Sequence, residues 1–266
     1  MQQYQNNYID DFVDFIKYKN NFSDEKARKI LSTGWNSFGE GGFASVNFRN
    51  YTEFISEVFF WKHNDLEENV HKTYQFHAIM DFFRMVSYPI VTGERDLDIY
   101  NEFTNFLVNQ SNKFGNVVVV DYGYGLSHFP FRLSLLLKEK KIDIKLVLVD
   151  VDRYIVKEFM KFISKKYDIN CEFIDVTKEN PFPTLPEFDF IQVKDTFEHI
   201  YHPENIVDNI NKNIRDNGIV VATTDDEREG MMHVTPNLKD VRDKFKEYGF
   251  ENVGYAWANR CYVYQK

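Results

Sequence analysis

Hydrophobic positions follow two regimes along the chain, and the change comes near residue 115. Before it, apolar residues recur at three- and four-residue steps. Val70, Tyr74, Ala78 and Val86, with Phe76, Met80 and Phe83 nearby, form one such set; Ile99, Phe103, Phe106 and Leu107 form another. This spacing gathers side chains on one helical face and predicts helices over both stretches. The glycine-rich stretch Thr33–Ala44 reads as a loop. After residue 115, short apolar runs alternate with amphipathic segments. Val117–Val120, Leu146–Val149, Glu172–Ile174, Phe188–Val193 and Ile219–Thr223 predict strands. Ile155, Phe159, Phe162 and Ile163 predict a helix after the second strand, and Ile206, Ile210 and Ile214 one before the fifth. Leu238, Val241, Phe245 and Tyr248 predict a helix before two closing strands near 251–257 and 260–265. Nearly continuous apolar strands separated by helices imply a parallel sheet covered on both faces. The ending, helix then paired strands, adds an antiparallel edge.

Composition narrows this picture. Of 266 residues, 43% are hydrophobic and 27% charged, the balance of a globular protein. Aromatics reach 17%, with 26 Phe and 16 Tyr, and many precede Val117. The net charge of -9 points away from a surface that tracks nucleic-acid phosphates. Cys171 and Cys261 lie in apolar, strand-like stretches and read as buried reduced thiols. Two cysteines do not supply a ligand set for an iron–sulfur cluster. No apolar run is long enough to span a membrane. The polar, acidic start does not resemble a secretory signal, so a cytoplasmic protein is expected.

The candidate chemistry sits at strand ends, where ligands bind in open parallel sheets. The first strand runs into Asp121-Tyr-Gly123-Tyr-Gly125-Leu-Ser127. Two glycines there allow a tight turn and close approach of a ligand. The second strand ends in Asp150, where a carboxylate can accept hydrogen bonds from a ribose diol. The third ends in Asp175, where a carboxylate can accept from an adenine amine. The plain alternatives are an ordinary strand-to-helix turn, a helix cap and a solvated turn residue.

A glycine turn followed by acidic strand ends, in this order, resembles the class I S-adenosylmethionine (SAM)-dependent methyltransferases. The segment Phe188-Asp-Phe-Ile-Gln-Val-Lys-Asp195-Thr-Phe-Glu198-His199-Ile-Tyr-His202-Pro203 is similar to that family's "YDLIxxxDVLEHVxDP". Ile214-Arg-Asp-Asn-Gly218-Ile-Val-Val is similar to its "LKPGGxLxx". The resemblance covers roughly residues 115 to 266. It implies an α/β fold: a Rossmann-like, seven-stranded, mostly parallel sheet with helices on both faces. Residues 1–112 are then a helical, aromatic-rich extension that serves as substrate region or lid, and residues 113–266 the SAM-binding domain. It further implies that Asp121, Gly123 and Gly125 line the methionine part of SAM, Asp150 the ribose and Asp175 the adenine, with the segment around Asp195 beside the sulfonium and Asp195 among the cofactor-binding residues. Ser127 stands where a third glycine is usual, and as a helix N-cap it would serve the same helix start.

Methyl transfer from a sulfonium needs alignment and exclusion of water more than it needs a catalytic group. Asp195, Glu198 and His199 are spaced i, i+3, i+4, which a helical turn would place on one face. His233 follows in a loop-like stretch after the fifth strand. His199 and His233 are the candidate general bases, since imidazole titrates near neutrality. A second reading has Glu198, His199 and His233, with Asp195, hold a divalent metal that polarises a hydroxyl. That arrangement is similar to the ExxEH-plus-His set of small-RNA 2′-O-methyltransferases, with Asp195 replacing the first Glu. The plain alternative is a structural turn that contacts cofactor, and no metal ligand is assigned. His202, before a proline, reads as an exposed turn residue. Trp35, Phe38, Phe43, Phe59, Phe60, Trp61 and His63 are candidates for a substrate pocket or a small helical core. The expected activity is methyl transfer to oxygen or nitrogen of a small metabolite or sugar-like substrate, without nucleic acid or membrane as partner. A degraded, non-catalytic SAM-fold partner protein and a SAM enzyme that transfers no methyl are the rivals.

Overall fold

The computed structural model describes residues 7–28, 97–152, 154–226, 233–256 and 261–266. The loop expected over Thr33–Ala44, the helix expected over residues 70–86 and the candidate pocket aromatics lie outside them. In chain order the elements are α1 (Asn7–Asn20), α2 (Leu97–Phe114), β1 (Val117–Tyr122), α3 (His128–Glu139), β2 (Ile144–Val151) and α4 (Tyr154–Lys166). There follow β3 (Asn170–Val176), β4 (Phe188–Val193), a single 3-10 turn (Phe197–His199), α5 (Glu204–Asn213), β5 (Ile214–Ala222), α6 (Lys239–Glu247), β6 (Glu251–Ala256) and β7 (Cys261–Gln265).

The chain divides into two compact units: residues 1–93 with 153–166, and residues 94–152 with 167–266. In the first, α1 packs on α4. The Phe15 ring meets Phe159 edge-on at 5.5 Å and tilts against Phe162 at 5.7 Å. Lys166 closes this contact by bridging Asp11 at 2.7 Å and Asp14 at 2.8 Å.

The second unit is built on a seven-stranded sheet of order β3-β2-β1-β4-β5-β7-β6. The first five strands are parallel. β7 runs antiparallel to both β5 and β6, the antiparallel edge expected from the chain's ending. Every residue of β1 and of β4 is buried, as continuous apolar runs require of central strands. One face is covered by α2 and α3: Tyr100 and Phe103 from α2 meet Phe129 of α3 at 4.5 and 5.6 Å, and Phe103 meets Phe190 of β4 at 5.2 Å. The other face packs Ile206, Val207 and Ile210 of α5 and Val241 and Phe245 of α6 against Val120, Val147, Ile191 and Val220. Phe245 lies flat on Tyr264 at 4.4 Å. Each such side chain contributes about 1.5–3 kcal/mol by leaving water.

The apolar spacing carried the expected helix as far as Ile214, but α5 ends at Asn213 and Ile214 is extended at φ -71, ψ 130. A bulge is the reason. Phe188 pairs with Ile214 while Phe190 pairs with Ile219, and Asn217 takes φ 61 to absorb the extra residues. The bulge turns Arg215 onto the fully buried Asp189 at 3.0 Å. Asp189 also accepts the Val118 amide at 2.8 Å, so the buried charge is both paired and hydrogen-bonded.

Cys261 is buried, Cys171 is half-buried, and both are free thiols. Among the described residues, no helix is long and apolar enough to cross a membrane.

Candidate functional site

Strand order reverses between β2 and β4, which both pair with β1. The carboxyl end of β1 is therefore the switch point, the place where such sheets bind ligands in a crevice. The Asp121 side chain lies at this end and is only 1% exposed. Its Oδ1 accepts Gln192 Nε2 from β4 at 3.1 Å. Burial pushes the Asp121 carboxyl up to about 7; the Asp150 charge adds to the rise, and the Ser127 and Gln192 side chains oppose it.

The turn after β1 leaves the strand through Gly123, whose amide donates to the Val149 carbonyl at 2.7 Å. Gly123 has φ 75, a conformation that favours glycine. A Cβ there would also press into Thr196, 2.7 Å from its Cγ2. The turn after β4 is thus packed against Gly123, with Thr196 in the place a Cβ would take. Thr196 is held in it by its hydroxyl, within 2.8 Å of the Lys194 carbonyl and 3.3 Å of the Tyr122 carbonyl. Gly125 donates its amide to Asp150 Oδ2 at 3.4 Å, and Asp150 Oδ1 accepts the Val151 amide at 2.8 Å. The glycine turn and the carboxylate at the end of β2 are joined in this way. Asp175 is the cross-strand partner of Asp150 on β3 and is exposed. Ser127 does occupy the N-cap position of α3, but it makes no side-chain cap bond. Its backbone is left-handed (φ 46, ψ 40), whereas a capping hydroxyl needs an extended backbone to reach the first-turn amides.

Beside β1, β4 runs into Asp195, an exposed residue with φ 49. The following turn is a single 3-10 turn, Phe197–His199. Asp195 lies outside it and instead bonds Thr223 at the end of β5. The two remaining members of the i, i+3, i+4 set stay together: His199 Nε2 is 3.6 Å from Glu198 Oε1, and Glu198 is almost wholly buried. His233 joins them from 34 residues away, its ring 5.1 Å from that of His199. Thr235 pins this approach, its amide donating to the Glu198 carbonyl at 3.1 Å and its hydroxyl to the Ile200 carbonyl at 2.8 Å. One ligand-type atom from each of Glu198, His199 and His233 lies within 4.8 Å of the others. His202 is exposed at φ 56, as expected of a turn residue. Gln192, Thr196, Thr223 and Thr235 carry no signal in the sequence, because each acts through a partner distant along the chain.

A family of methyltransferase domains matches residues 113–264. No curated protein matches the chain in sequence. Among solved structures, it is similar to WbdD in complex with the kinase inhibitor LY294002, at 17% identity over 65% of this chain and 41% of that one, TM-score 0.47. It is also similar to TehB from Haemophilus influenzae, at 16% identity over 60% and 61%, TM-score 0.44. The [4+2]-cyclase SpnF is similar at 14% identity over 60% and 61%, TM-score 0.42. The chain spans about six-tenths of the length of the latter two. With residues 113–264 covering more than half the sequence, the chain belongs to this family of methyltransferase domains.

Proposed function

We propose that this protein transfers a methyl group from SAM to an oxygen or nitrogen of a small metabolite or sugar-like substrate. The observation that carries the reading is the joining of the glycine turn to Asp150 at the point where strand order reverses. The residues present fit an adenosyl ligand: carboxylates end the neighbouring strands β1, β2 and β3 beside the Gly123–Gly125 turn, at Asp121, Asp150 and Asp175. In this reading Asp121, Gly123 and Gly125 hold the methionine part, Asp150 the ribose and Asp175 the adenine, and the segment around Asp195 stands by the sulfonium. SAM supplies an electrophilic methyl when bound. His199 or His233 removes the proton of the acceptor hydroxyl or amine. Residues 1–112 supply substrate specificity.

Isothermal titration with S-adenosylhomocysteine (SAH) tests this. Wild-type protein is expected to bind one equivalent with micromolar affinity, and Asp150→Ala to lose about tenfold or more, as expected for charge-assisted bonds. Absent binding by the wild type would leave only the partner-protein reading.

The clustering of Glu198, His199 and His233 favours a second reading, in which they hold a divalent metal beside the acceptor. One carboxylate and two imidazoles suit zinc or another first-row metal ion, and such an ion polarises a hydroxyl. The two readings exclude each other in detail, since an imidazole bound to metal is not a base. Metal-stripped protein titrated with Mn²⁺ or Zn²⁺ is expected to bind one equivalent, and His233→Ala to lose that binding while keeping its SAH affinity. Full methyl transfer after exhaustive EDTA treatment would remove the metal and leave the histidine base.

A further inference from the structure

We infer that Thr223 is a positioning residue that fixes the Asp195 carboxylate for the cofactor. This rests on the SAM-binding reading above. Asp195 is a non-glycine residue in the left-handed region, which costs free energy and persists only where the surroundings hold it. Thr223 holds it by both ends. Its Oγ1 accepts the Asp195 amide at 3.2 Å and donates to Asp195 Oδ1 at 3.1 Å.

The hydroxyl has one proton, and an ionised carboxylate has none to give, so that proton goes to Asp195. The Cys261 thiol, 3.5 Å away, is then the donor in its contact with Thr223. Both Thr223 and Cys261 are buried, so the hydroxyl is locked between its partners. The Thr223 amide donates to the Val193 carbonyl at 3.0 Å, which prolongs the β4–β5 ladder by one step. Thr223 is therefore placed by the sheet and not by a loop. Asp195, which this buried set holds, is itself exposed just beyond the carboxyl end of β4. A turn that only reversed the chain would be served by glycine at this φ without cost. A rigidly aimed acceptor serves a ligand that brings N–H or O–H donors.

The test uses the full chain and SAH. Thr223→Val and Thr223→Ala remove the hydroxyl; Thr223→Ser keeps it. We expect either hydroxyl-free variant to weaken SAH binding about tenfold and the serine variant to stay within about twofold of wild type. In an Asp195→Ala background, Thr223→Ala is expected to change affinity less than about twofold, because its effect passes through the carboxylate. If valine unfolds the chain, the alanine and serine pair still decides. An unchanged SAH affinity in the hydroxyl-free variants, whatever their melting temperature, overturns the inference alone. Additive effects of the two sites overturn it as well. Failure of wild-type protein to bind SAH removes the cofactor reading and this inference together.

Discussion

Asp121 weakens the fold at the place where it is proposed to hold the ligand. Its carboxyl titrates at about 7 in the folded chain against an ordinary 3.8. Between those values the unfolded chain has released its proton while the folded chain retains it. Stability therefore falls as pH rises through that window, and the loss is complete above about 7. Asp121→Asn removes the ionisable group and keeps the shape. Above pH 7.5 its melting temperature is expected to exceed that of wild type by roughly 3 °C or more, with no gain near pH 4. Its SAH affinity is expected to drop, the trade between stability and function common at such sites. Thermal melts across pH, with titrations at pH 7.5, check both parts. At this scale the sequence was readable for position: Asp121 and Asp150 lie at the carboxyl ends of β1 and β2, as their apolar runs imply. It was not readable for Thr223, whose two bonds to Asp195 join residues 28 apart. Nor could it show that Ser127 would enter its helix left-handed and leave its hydroxyl out of the cap.

Among the elements, the strands followed their apolar runs, because central parallel strands bury both faces and need no alternation. The turns did not follow so directly. The DxxEH spacing suggested one helical face, but a 3-10 turn of three residues carries only Glu198 and His199. The left-handed Asp195 lies outside that turn and bonds Thr223 just after β5. The turns after β1 and β4 are fitted to each other at Gly123 and Thr196. Gly123→Ala introduces a Cβ at φ 75 and forces Thr196 from its place, so both turns must shift. A loss of about 1–3 kcal/mol in stability is expected, with SAH affinity reduced at least tenfold. Urea melts and calorimetric titration of this variant read the two effects separately. A variant with wild-type affinity would show that the two turns move independently.

For the molecule as a whole, the order of strand and helix signals was enough to anticipate a mostly parallel sheet with an antiparallel edge. Signal order alone does not tell that β7 lies between β5 and β6, because either closing strand has the pattern of an edge. The bulge that pairs Arg215 with Asp189 was equally hidden, since it depends on a register shift between β4 and β5. The placement of β7 has a consequence for assembly. The chain must lay down the outermost strand first and then double back to occupy the slot beside β5. Until that return is made, β5 keeps a bare row of amides and carbonyls, the kind of rim on which foreign strands grow. The closing hairpin is thus also the sheet's guard against aggregation, and its undocking would be the first step toward losing that protection.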